Sequence, residues 1–82
     1  MENVLNDFKN MLNAEIVLLR GCDNDSEIFE SSYMTYSTIN SNKDITRDIK
    51  MSLLHELVNS SGDLLARYKN TINLINKYLG EL

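Results

Sequence analysis

Proline is absent from this 82-residue chain, cysteine and histidine occur once each, and no apolar run exceeds the four residues Ile16–Leu19. Each shortage excludes something. A chain without proline and with 43% hydrophobic residues does not have the composition of a disordered segment. One cysteine, Cys22, cannot close an internal disulfide, so a free thiol in a reducing compartment is expected. A membrane-spanning helix needs about 20 apolar residues, which the chain nowhere supplies. No basic segment opens the N-terminus, and Asp7, Lys9 and Asn10 interrupt any apolar core there, so a secretory signal is not expected. The expected location is the cytoplasm, or the exterior by a route that reads no cleavable signal.

Basic residues are also scarce. The net charge of −4 argues against nucleic acid as a partner, because phosphate binding requires clustered Lys and Arg. Residues 1–42 carry seven acids against Lys9 and Arg20, whereas residues 43–82 carry six bases against five acids. The two halves are therefore of opposite sign and can attract within one chain or between copies. Surface pairs are individually weak, so this asymmetry would orient a contact more than stabilise it.

Nothing in the chain forms a catalytic or metal motif. His55 lies on a helix edge without an aligned partner, and Cys22 with His55 makes no recognisable nucleophile pair. Asp23-Asn24-Asp25-Ser26-Glu27 opens like a calcium loop, but Ile28 stands where glycine is needed and Met34 where the bidentate glutamate belongs. The segment reads as an acidic, solvated turn. No enzyme, cofactor, metal or small-molecule substrate is expected.

One pattern dominates the second half. Met51, Leu54, Val58, Ser61, Leu65, Tyr68, Ile72, Ile75, Leu79 and Leu82 step alternately by three and four, with Ser61 the only polar member. That spacing lines one side of an α-helix for a partner helix to cover. A second row, Leu53, Leu57, Leu64, Leu74 and Tyr78, broadens the face toward that of a bundle. Earlier, Leu5, Phe8, Leu12, Ile16 and Leu19 make an amphipathic helix over about 2–20, stopped by Arg20-Gly21.

The expected fold is therefore all-α, a helical hairpin or small helical bundle with a long C-terminal amphipathic helix, in one domain over 1–82. Residues 21–43 form a weakly structured connection: Ser31–Thr38 is poor in helix formers, yet a short, weak helix over 27–38 is favoured over a hairpin, which would have no sheet to join. Ser41 and Asp44 fit a capping box that starts the last helix, about 44–79. Asn59–Asp63 is turn-like, yet Val58, Ser61 and Leu65 keep phase across it; continuity is the preferred reading, with a bend or break at 60–62 as its rival.

An unbroken helix of that length would run about 54 Å, beyond a compact chain roughly 30 Å across. Its exposed stripe would then need a protein partner or a second copy. Leu54, Val58, Leu65, Tyr68, Ile72, Ile75 and Leu79 are the expected contact residues, on a non-enzymatic assembly module. The competing class is a small regulatory binder (a chaperone, immunity factor or mobile-element inhibitor). Tyr33, Tyr36, Tyr68 and Tyr78 suit either interface anchors or half-buried packing residues. Asn70, Asn73 and Asn76 give the last helix a neutral polar flank that desolvates more cheaply than a charged one.

Asn70-Thr71-Ile72-Asn73-Leu74-Ile75-Asn76-Lys77 is similar to the Asn-Thr-Val-Lys-Val-Ile-Lys-Asp stretch of type III secretion needle subunits. Leu65-Ala66-Arg67 resembles a Leu-Ala-Arg step of the inner-rod subunits. The likeness is confined to the last helix, and the family's proline-containing turn and Gln-Asn-Phe ending are missing. It implies a helical polymer subunit or a small partner of an export apparatus.

Overall fold

The computed structural model describes residues 2–21 and 25–82, with side chains for all of these except 25–29 and 31. Among the described residues the chain is all-α, with α1 over Glu2–Gly21, α2 over Asp25–Ser41, α3 over Arg47–Asn59 and α4 over Leu64–Glu81. Helices consecutive in the chain pack side by side, and α1 closes the ring against α4; α1–α3 and α2–α4 do not pair along their backbones. The described connections, five residues at 42–46 and four at 60–63, are short links between packed neighbours, and this order of packing is that of an up-and-down bundle.

The core lies on the axis of this ring. α1 contributes Leu5, Phe8, Leu12 and Ile16, one residue per turn. Thr35 and Ile39 enter from α2, Ile45 from the α2–α3 connection, Leu53, Leu54 and Leu57 from α3, and Tyr68, Thr71 and Ile75 from α4. Leu65, Ile72, Leu74, Tyr78 and Leu79 cover its flank.

Two expectations need correction. The unbroken helix over 44–79 is not formed; the rival reading, a break at 60–62, is the one the structure shows, and the long last helix is α4. Ser60 closes α3 in an extended conformation, Gly62 takes a φ of 105°, and Asp63 caps α4 by accepting from the Ala66 amide at 2.9 Å. A Cβ on Gly62 would also lie 2.7 Å from that of Ala66, so the turn excludes a side chain twice over. The Ser60 hydroxyl donates to the Glu56 carbonyl, and the Asn70 amide reaches Ser60 Oγ at 3.4 Å, tying the turn to both helices. The longest dimension of the molecule is 38 Å, too short for the 54 Å rod.

The segment 21–43 does hold the helix expected over 27–38, but as a longer one, α2 of 17 residues, rather than as a weakly structured connection. Its hydroxyl-rich sequence is accommodated by back-bonding: Thr38 donates to the Met34 carbonyl at 2.8 Å and Ser41 to Ser37 at 2.7 Å. Those hydroxyls satisfy themselves on their own helix, while Thr35 and Ile39 anchor it to the core. Ser41 is thus the last residue of α2 rather than a cap. The cap of α3 is Thr46, which accepts from the Ile49 amide at 3.3 Å, after an Asx turn at Asn42–Asp44.

Candidate protein-interaction surface

The break at Ser60–Asp63 decides where the heptad seam points. Leu54, Tyr68 and Ile75 are buried in the chain's own core, and Leu65, Ile72 and Leu79 pack partly against it. Val58 alone of the expected contact residues is exposed, at 49%. The seam as a whole is therefore not an outward surface, because α4 folds back along α3 and covers it.

A different surface takes its place. Tyr33 (62% exposed) and Tyr36 on α2 stand beside Met51 (54%) and Val58 on α3. These residues edge two adjoining depressions that share Tyr36 and Val58. One, of about 210 Å³, is lined by Ser32, Tyr33, Tyr36, Leu57, Val58, Leu64 and Arg67. The other, of about 300 Å³, runs on between Asn40, Met51, Leu54 and His55. The helical phase explains the exposure: α3 turns Leu53, Leu54 and Leu57 inward, which leaves Met51 and Val58 on its outer edge.

Tyr33 and Tyr36 were legible as anchors from their residue type, and Met51 and Val58 as members of the seam. Arg67 was missed as a surface residue: it entered only through the Leu65-Ala66-Arg67 resemblance and lies off the apolar periodicity. It lines the smaller depression, and its Nε is closed to solvent with no hydrogen-bond partner among the described residues. Its neighbour Tyr68 is fully buried. The Tyr68 hydroxyl approaches Thr35 without completing a well-formed hydrogen bond. Burial pushes this phenol above its ordinary value of 10.0; Thr35 opposes the rise, the Glu15 carboxylate adds to it, and Arg67 opposes it.

His55 is exposed, and its Nδ1 takes the Asn59 amide at 3.3 Å. Cys22 and the acidic turn at 23–24 lie outside the described residues, as do the side chains of 25–29. Among the described residues no group of three or more His, Cys, Asp or Glu converges on a point that would hold a metal ion. No described helix is long and apolar enough to cross a membrane. On the opposite side, Val17 of α1 borders a shallow groove with Arg20, Lys69 and Ile72. Compared with protein-family models, curated proteins and solved structures, the chain matches none.

Proposed function

We propose that the chain is a non-enzymatic protein-binding module that presents the α2/α3 face to a partner. The observation that carries this reading is the group Tyr33, Tyr36, Met51 and Val58, exposed together over two adjoining grooves of the α2/α3 face. Tyrosine and methionine are enriched where proteins meet, the first as a large rigid amphipathic anchor and the second as an adaptable filler. Of the two classes weighed from sequence, the small regulatory binder is favoured. It needs a compact body with one docking face, whereas a polymer subunit of the secretion type needs the projecting helix that the turn at Gly62 removes.

Light scattering on the purified chain over a wide concentration range tests the choice. A protomer of 9.4 kDa that stays monomeric is expected. Concentration-dependent growth abolished by Val58→Asp would return the self-assembling subunit to first place. A growth indifferent to Tyr36→Asp and Val58→Asp would remove the α2/α3 face from the account altogether.

A further inference from the structure

Across the bundle from the α2/α3 face, and independent of it, the groove between α1 and α4 has the chemistry of an anion site. It follows the seam along which these two helices pack and encloses about 450 Å³. Asn13, Ile16 and Arg20 step by three and four, which brings them to one edge of α1; Lys69, Ile72 and Asn73 share an edge of α4 in the same way. Ile16 is buried and Ile72 half-buried, so the apolar pair makes the floor. Arg20, Lys69 and the two asparagines stand exposed around it, and Val17, 69% exposed, borders one side.

Two cations and two carboxamides therefore meet over an apolar floor, in a chain whose net charge is −4. Among the described residues no carboxylate lines this groove, and helical phase explains why. Asp7 and Glu15 fall on other sides of α1. Glu2 shares the edge of Arg20 but lies about 27 Å from it along the axis. On α4, Asp63 is turned to the Ala66 amide, and Glu81 is about 18 Å beyond Lys69.

We infer that the α1/α4 groove binds a phosphate monoester, its phosphate between Arg20 and Lys69 and its apolar body on Ile16, Val17 and Ile72. Charge decides between phosphate and carboxylate. A phosphate monoester carries close to two negative charges at neutral pH, which the two cations balance, and its three oxygens accept from guanidinium, ammonium and carboxamide donors. A single carboxylate leaves one cation unmatched and brings only two oxygens. A nucleic-acid backbone is the poorer ligand, because two cations make few phosphate contacts and the rest of this acidic chain repels it. The ester has two possible sources, a small molecule or a phosphorylated side chain beside an apolar residue.

Amide chemical-shift titrations of the full chain with inorganic phosphate, butyl phosphate, hexanoate and a peptide carrying phosphoserine beside leucine test the site. Saturable shifts centred on residues 13–20 and 69–73, tighter for butyl phosphate than for inorganic phosphate or hexanoate, are the expected result. A peptide that binds more tightly still makes the source a partner protein; one that binds no better than inorganic phosphate makes it a small ester. Arg20→Gln and Lys69→Gln, both at exposed positions that leave the fold intact, should each weaken butyl phosphate by about 5-fold. Affinity should also fall from about pH 7.5 to about pH 5, as the ester loses its second charge. Hexanoate binding as tightly as butyl phosphate, or no response to pH, overturns the phosphate assignment. Shifts that do not saturate, or that survive both substitutions, overturn the site. None of these outcomes touches the α2/α3 reading, which Tyr36→Asp and Val58→Asp test separately.

Discussion

In α4 the seam residues Tyr68 and Ile75 are fully buried, whereas in α3 Met51 and Val58 of the same seam stand about half exposed. Both helices obey one three-four spacing, so spacing alone does not settle which way a stripe faces. The inward line of α3 runs through Leu53, Leu54 and Leu57, rotated from the seam by about one residue. The four residues 60–63 between the helices uncouple their rotations, so the shared phase of Val58, Ser61 and Leu65 has no structural meaning.

The comparison breaks if the two helices respond alike to the same insult. Ile75→Asp puts an unpaired carboxylate into the core and should cost more than about 4 kcal/mol. A domain of this size is stable by about 4–12 kcal/mol, so most of its helicity should be gone at room temperature by circular dichroism. A cooperative melt near that of the parent would show that Ile75 is not in the core.

The next effect tests the turn that separates the two helices. Gly62→Ala should cost about 1–3 kcal/mol, from the positive φ together with the close approach to Ala66. Adding Ala66→Gly relieves the contact but not the backbone strain, so denaturant titration should recover only part of the loss. Full recovery would mean that φ at residue 62 carries no strain.

Tyr68→Phe sharpens the contrast within α4 itself. The hydroxyl lacks a well-formed partner, so its removal should change stability by less than about 1 kcal/mol near neutral pH. At high pH the two proteins should diverge. A phenol whose folded pKa is raised above 10.0 contributes stability that is fully present below pH 10 and is lost as pH rises through the folded value. Thermal melts of the parent should therefore fall above about pH 10 more steeply than those of Tyr68→Phe. Parallel curves would contradict a buried, neutral Tyr68.

The smallest expected effect is that of Val58→Asp. On the outer edge of α3 this substitution should alter stability by no more than about 0.5 kcal/mol, though it sits in the same seam as Ile75. A shift in melting temperature approaching that of Ile75→Asp would erase the distinction between the two helices.

The fold class was readable because Leu5, Phe8, Leu12 and Ile16 follow a helical period and the second half repeats one. The bundle's helix count was not. At α2 the low intrinsic helix propensity of a serine- and threonine-rich run is offset by back-bonding and by the burial of Thr35 and Ile39, which only the packed state supplies. At 59–63 the local turn residues were the correct signal and the longer periodicity the misleading one. The surface was half visible, through Tyr33 and Tyr36 as residue types. Arg67 became recognisable only once α2 and α3 placed aromatic and apolar side chains around it.

The ring in which each helix pairs with its neighbours in the chain bears on how the molecule reaches its native state. Most native contacts close short loops, and only the meeting of α1 with α4 joins distant parts of the sequence. Such low contact order places folding on the scale of about microseconds to milliseconds. That speed leaves little time for Met51, Val58 and the tyrosines of α2 to meet another unfinished chain before the bundle forms.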